Sequence, residues 1–213
     1  MTFLLPDAEV VEAYVDLRSR TIELVRSTSD SHAHHVVPHC PAWTVHDVVA
    51  HLVGVPEDIL AGRMDGVTTD AWTQAQVDRH RDDSLRRLAE IWAETAEAFD
   101  PVLPHIPSPV NSQLVMDAVT HEHDLRHALG EPGARDSSAV RVALGWLLDM
   151  AENRSSGTGA ALRSSGVADF DLLRVLSGRR SSTQISDLGL DGPSLVALLA
   201  GSPLKPPADA IVE

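Results

Sequence analysis

The stretch CPAWTVHDVVAHLVG at residues 40–54 contains the clearest helix start in the chain. Thr44 is a favourable N-cap residue, and Asp47 three positions later completes a short-armed version of the capping box. The apolar residues that follow recur at helical spacing. The pattern predicts a helix that begins after Thr44 and ends near Gly62, and Pro56 either kinks this helix or restarts it.

Apolar residues recur at helical spacing in several other parts of the chain. The stretches predicted as helices are 7–26, 69–99, 111–129, 137–152, 168–177 and 192–200. The predicted loops and irregular segments are 27–43, 100–110, 153–166 and 202–213. No stretch has a convincing period-two strand pattern. We therefore expect an all-α protein in which residues 1–133 form a four-helix bundle, with residues 134–213 as a C-terminal helical extension packed on it.

The composition excludes several classes of function. With 17 Lys and Arg against 31 Asp and Glu, the formal net charge is −14, which argues against nonspecific binding to nucleic acid or to anionic lipid. No run approaches the roughly 18 apolar residues of a membrane span. The N-terminal residues have no basic segment, so no signal peptide is expected. The single cysteine, Cys40, cannot form an intrachain disulfide. These features predict a cytoplasmic protein.

The helix predicted over residues 111–129 has an apolar face centred close to His121. At about 100° per residue, Asp117 and Asp124 lie at the edge of that face. His123 and His127 fall on the opposite side and are expected to face solvent. Two acids and one histidine are therefore predicted to point toward the interior of the bundle or its mouth.

Bundles often build metal sites from inward-pointing side chains on facing helices. His51 lies at the border of the apolar stripe of the helix that follows Thr44, so His51, Asp117 and His121 are a candidate site of two histidines and one carboxylate with open positions. Asp47 and Asp124 are candidates to orient an imidazole by a hydrogen bond. Two alternatives stay open from spacing alone: a histidine at a core edge often has only a structural role, and Asp47 also fits a capping role.

A histidine run, the single cysteine and an arginine pair are further candidates for a functional role. The HAHH run at 32–35 is interpreted as a solvated loop, and Cys40 as a structural residue. Arg179 and Arg180 either form an anion-binding site or hold the C-terminal segment onto an acidic bundle. The structural role is favoured because the pair directly follows the helix predicted over 168–177.

Two motifs carry a resemblance to a known family. The segment 40–54 resembles the signature of the DinB-like superfamily in actinobacteria, and more closely that of the mycothiol-dependent maleylpyruvate isomerase N-terminal domain family. THEHDLRHALGEPG at 120–133 is similar to the second signature of that family, and DLLRVLSGRRSSTQ at 171–184 resembles a segment frequent in its uncharacterised members.

The resemblance implies a DinB-type four-helix bundle with a divalent metal, such as Zn²⁺, Ni²⁺ or Mn²⁺, near one end. The family takes one histidine from the motif at 40–54, which His51 matches. It takes a carboxylate or histidine and a second histidine four residues later from the last helix, which Asp117 and His121 match. The first of these is often Glu in the family, and the shorter Asp117 either reaches the ion directly or binds it through water.

The resemblance also implies the chemistry. A low-molecular-weight thiol, with mycothiol expected, would bind the metal as its thiolate and react with a small electrophile, so the protein would be a thiol transferase or isomerase. Two other classes stay open: a catalytically silent bundle that binds a metal or small molecule, and a structural bundle that dimerises. The chain is expected to be a monomer or a homodimer.

Overall fold

The computed structural model describes residues 2–213, and their regular secondary structure is mostly helical. The helices are α1 (Asp7–Ser27), α2 (Val45–Ala61), α3 (Asp70–Arg79), α4 (Leu85–Phe99), α5 (Val110–Leu129), α6 (Ser138–Arg154), α7 (Thr158–Arg163), α8 (Asp169–Leu176), α9 (Ser182–Asp187) and α10 (Gly192–Leu199). Two short antiparallel strands, β1 (Val36–Val37) and β2 (Cys40–Thr44), form a hairpin before α2. The predicted all-α class is confirmed. Within the described part of the chain, no helix has the length and apolar character needed to cross a membrane.

The chain forms two compact units. The unit named here the site unit contains residues 14–107 and 121–132, and the terminal unit contains residues 2–13, 108–120 and 133–213. Helices α1 and α5 are each continuous across a unit boundary.

Helix α2 packs on α3, α4 and β2 in the site unit. It begins as its sequence predicts: Asp47 Oδ2 accepts a hydrogen bond of 2.8 Å from the Thr44 backbone N–H, and the Thr44 hydroxyl accepts one of 3.3 Å from the Asp47 N–H. It ends at Gly62, whose φ of 68° lies in the left-handed region that glycine adopts without strain. Pro56 lies inside one continuous helix, so α2 does not restart there.

The stretch 69–99, predicted as one helix, contains two. Helix α3 ends at Arg79 and α4 begins at Leu85. The hydroxyl of Ser84 caps α4 by accepting a hydrogen bond of 3.2 Å from the backbone of Arg87. In the turn before it, the ring of His80 bonds to the carboxylate of Asp83 at 3.0 Å. The prediction failed because the apolar stripe continues on both sides of the turn.

Two other predicted loops contain regular structure. The hairpin β1–β2 occupies part of 27–43, and α7 lies within 153–166. Helix α9 was not predicted, although Ser181 and Gln184 form a capping box at its start. Helices α6, α8 and α10 lie within about two residues of the predicted stretches. In the terminal unit, α6 packs on α7 and α8, and α9 packs on α10.

Helix α5 is buried around its whole circumference from residue 118 to residue 125. His123 is only 3% exposed, so the prediction that it faces solvent is wrong. His127 is partly exposed, and its ring lies 5.0 Å from that of His39. The angular argument assumed one buried face, whereas this segment also buries Glu122, which pairs with the guanidinium groups of Arg20 and Arg126 at 2.7 and 2.9 Å.

Candidate metal site

His51 lies on α2 and is 2% exposed. Its Nδ1 atom is 2.7 Å from the side-chain oxygen of Gln76 on α3. An amide oxygen only accepts hydrogen bonds, so Nδ1 carries the proton and Nε2 keeps its lone pair. This is the tautomer in which Nε2 can bind a metal ion.

A chain of hydrogen bonds holds Gln76 in this orientation. Its amide nitrogen donates to Asp58 Oδ2 at 2.8 Å, and Asp58 in turn pairs with the guanidinium groups of Arg63 and Arg79. Because a carboxylate only accepts, the amide nitrogen of Gln76 must face Asp58 and the amide oxygen must face His51.

Gly54 allows α3 to come close enough for this contact. A Cβ atom added at Gly54 would lie 2.5 Å from Cβ and 2.6 Å from Cγ of Gln76, which is closer than real Cβ contacts. The glycine of the segment HLVG at 51–54 therefore has a packing role, because it makes room for the residue that orients His51.

His121 lies on α5, and its ring centroid is 5.2 Å from that of His51. The indole of Trp43, the residue before the cap of α2, lies 5.2 Å from the His51 ring and 5.7 Å from the His121 ring. The site unit therefore brings the two predicted histidines and one aromatic side chain together.

Asp117 precedes His121 by four positions in the sequence of α5, but it belongs to the terminal unit, whereas His51 and His121 belong to the site unit. The role of Asp117 as the third ligand therefore stays a prediction. Two imidazoles and one carboxylate make a donor set that suits divalent transition metals, and a set of three leaves positions open for water or a substrate. These residues therefore fit the kind of ion that the sequence motifs imply.

The two acids expected to orient an imidazole differ in their contacts. Both Asp47 carboxylate contacts with Thr44 belong to the cap of α2, so Asp47 has the capping role that the sequence left open. Asp124 lies beside His121, with 3.3 Å between Asp124 Oδ2 and His121 Nδ1. Sequence reasoning missed Gln76, since no local pattern distinguishes it from the exposed Gln74 on the same helix.

Arg179 and Arg180 are each 9% exposed, and their contacts lie within the terminal unit. Arg180 pairs with the carboxylate of Glu213 at 2.7 Å, and Arg174 pairs with the same carboxylate at 2.9 Å. Arg179 donates to the backbone oxygen of Ser177 at 2.7 Å. The choice between the structural role and the anion-binding role of the pair stays a prediction.

His80 is another buried histidine of the site unit, and its partners differ from those of His51. His80 is 4% exposed, and its two ring nitrogens lie 3.0 Å from Glu57 Oε2 and 3.0 Å from Asp83 Oδ2. Burial opposes the charged ring, but the hydrogen bonds to Glu57 and Asp83 outweigh it and raise the pKa of His80 above 6.5. Burial likewise opposes the charged form of Glu57, but its bonds to His80 and Arg79 prevail and lower the pKa of this carboxyl.

The family model described as the mycothiol maleylpyruvate isomerase N-terminal domain matches residues 14–131. The chain belongs to this family. The matched segment contains α2, α3, α4 and α5, and with them all three residues of the candidate metal site. Membership relates the chain to mycothiol and to a DinB-like metal-binding fold. Comparison with curated proteins and with solved structures found no match.

Proposed function

We propose that this protein binds a divalent metal ion through His51, Asp117 and His121 and uses a low-molecular-weight thiol, mycothiol, to transform a small electrophile. The observation that carries the proposal is the pairing of the His51 and His121 rings, whose centroids lie 5.2 Å apart, in a member of the mycothiol maleylpyruvate isomerase family. The proposed activity is thiol transfer or thiol-assisted isomerisation.

The ion, when bound, would hold the thiol as its thiolate, which is the nucleophilic form. The protein then needs no cysteine of its own as the nucleophile. A thiolate that adds to an activated double bond forms a carbon–sulfur bond and converts the double bond into a rotatable single bond. Expulsion of the same thiolate after rotation gives the isomer, whereas protonation of the neighbouring carbon leaves a thioether conjugate.

The residues around the site prepare it for this chemistry. The hydrogen bond from His51 to Gln76 keeps the His51 Nε2 lone pair available, and the Asp58 carboxylate keeps Gln76 from turning its amide. The indole of Trp43 lies within 5.7 Å of both imidazole rings and places an apolar surface beside them.

The test uses full-length protein purified without a histidine tag and loaded with Zn²⁺, Ni²⁺ or Mn²⁺. Metal content and affinity are measured first, and turnover is then measured with mycothiol and a panel of activated alkenes. We expect His51→Ala to lower Mn²⁺ affinity by more than about 100-fold and to abolish turnover, because two ligands hold a divalent ion poorly. Circular dichroism should show unchanged helix content.

His127→Ala is the matched control, since His127 is a partly exposed histidine of the same helix as His121. It should retain both metal and turnover. Wild-type Mn²⁺ affinity in His51→Ala would show that the ligand set is wrong. Stoichiometric metal in the wild-type protein without turnover of any thiol and electrophile would instead favour a catalytically silent metal-binding bundle.

A further inference from the structure

Cys40, His121 and Asp124 form a second group of metal-ligating side chains, and all three belong to the site unit. Cys40 is a partly exposed residue of β2, and Asp124 is fully buried on α5. One ligand atom from each residue lies within 4.8 Å of the other two. This group shares His121 with the site described above but includes neither His51 nor Asp117.

The distances inside this group match the edges of a tetrahedral coordination shell. Cys40 Sγ lies 3.5 Å from Asp124 Oδ2, and His121 Nδ1 lies 3.3 Å from the same oxygen. An ion about 2.3 Å from sulfur and about 2.0 Å from nitrogen and oxygen would place tetrahedral ligands about 3.5 Å apart for sulfur and oxygen, and about 3.3 Å for nitrogen and oxygen. The two measured edges therefore need little rearrangement to accept an ion.

We propose that Cys40, His121 and Asp124 form a second metal position, which takes the thiophilic ion Cd²⁺ in preference to Mn²⁺ or Mg²⁺. Thiolate ligands select soft metals, whereas a set of imidazoles and a carboxylate does not discriminate in this way. Both positions include His121, whose two ring nitrogens are separate ligand atoms.

Coordination at this position displaces a proton and needs no redox partner. The thiol of Cys40 loses its proton to solvent as the sulfur–metal bond forms, so binding to this position strengthens as pH rises. The hydrogen bond between Cys40 and Asp124 is replaced by two metal–ligand bonds, and the remaining coordination position is open to water. The proposal does not depend on the proposed thiol chemistry.

Cobalt is the probe for this position, because a thiolate bound to Co²⁺ gives a charge-transfer absorption that imidazole and carboxylate ligands do not give. Cys40 is the sole cysteine, so such a band in protein kept in a phosphine reductant must come from this residue. We expect the band in the wild-type protein and in His51→Ala. Cys40→Ser should lose the band and bind Cd²⁺ at least tenfold more weakly, while its affinity for Mn²⁺ stays unchanged.

The outcomes separate the two metal positions. Cobalt binding to the wild-type protein without a thiolate band would overturn the second position, and so would equal Cd²⁺ affinity in the wild type and Cys40→Ser. Neither result would affect the proposed function, which is tested by the metal affinity of His51→Ala. The absorption measurement needs only the unmodified protein, so it holds even if a variant fails to fold.

Discussion

His51 and His80 are two almost fully buried histidines of the site unit with opposite surroundings. His51 donates its Nδ1 proton to a neutral amide, that of Gln76. His80 lies between two carboxylates, those of Glu57 and Asp83. Burial is nearly equal, at 2% and 4% exposed, so burial does not separate them. The charge of the partner decides whether a buried imidazole keeps a lone pair or carries a second proton.

The difference in hydrogen-bond partners suits His51 to metal binding and His80 to a structural role. A neutral ring that donates from Nδ1 presents a lone pair on Nε2, whereas a doubly protonated ring presents none. The raised pKa of His80 favours its protonated form, in which both ring nitrogens donate to carboxylates and link α2 to the turn that follows α3. We infer that a metal-ligand search based on histidine content alone would confuse these two roles.

Among the changes that separate His51 from His80, replacing Gln76 with Leu should have the largest effect on metal affinity. The change keeps the size of the side chain but removes the acceptor that fixes the His51 tautomer. Loss of such a partner usually weakens metal binding by about 10–100-fold. The measurement is Zn²⁺ affinity by competition with a chromophoric chelator.

Gln74→Leu is the control for this change, because Gln74 is an exposed glutamine on the same helix. It should leave Zn²⁺ affinity unchanged. Equal affinities in the wild type and Gln76→Leu would show that the amide does not prepare His51 for binding.

Gly54→Ala should have a smaller effect on the same contact. The added methyl group forces Gln76 away from α2, because it would otherwise lie 2.5 Å from Gln76 Cβ. Overpacking of this kind costs about 1–3 kcal/mol of stability, and we expect Zn²⁺ affinity to fall by up to about tenfold as the hydrogen bond to His51 lengthens. Chemical denaturation and the chelator competition measure the two quantities.

A double variant tests the steric cause. Gly54→Ala combined with Gln76→Gly removes the atoms that clash, so the two losses of stability should sum to more than the loss in the double variant. If the two losses of stability simply add in the double variant, the Gly54→Ala change does not act through contact with Gln76.

His80→Gln should change only the pH dependence of stability. Because the folded pKa of His80 is raised above 6.5, its contribution is fully present below about pH 6.5 and is lost as pH rises through the folded value. The wild-type free energy of unfolding should therefore fall as pH rises from about 6.5 through the folded pKa of His80. Gln cannot be protonated there, so the variant should show a flatter profile.

Denaturation curves between about pH 5.5 and pH 8.5 would measure this slope, and Zn²⁺ affinity would be measured beside it. An unchanged Zn²⁺ affinity in His80→Gln would show that His80, unlike His51, does not contribute to metal binding. A slope identical to that of the wild type would show that another group produces it.

Local signals in the sequence predicted the parts of the fold that depend on neighbouring residues. Thr44 and Asp47 predicted the start of α2, and Gly62 and Gly130 lie directly after α2 and α5, as helix-ending glycines do. The four-residue spacing of Asp117 and His121 was enough to select them as candidates on one face. The role of these residues as metal ligands stays a prediction.

Features that depend on distant contacts could not be predicted in the same way. The face of α5 that carries His123 is polar in sequence, yet it is buried, because a helical period identifies an apolar face but not a helix covered on all sides. Gln76 reaches His51 across 25 positions of sequence. The approach that makes this possible depends on the lack of a side chain at Gly54, and the sequence does not show what packs against a glycine.

Helix α5 limits where the chain can be shortened. The family match ends at residue 131, which suggests a fragment cut there for expression, yet residues 110–120 of α5 fold with residues 133–213. Such a fragment would lose Arg174, which donates to the backbone oxygen of Thr120 at 3.4 Å. It would also lack the surroundings of the half-helix that carries Asp117. We expect such a fragment to be a poor substitute for the whole chain in crystallisation, library screening or transplantation of the metal site.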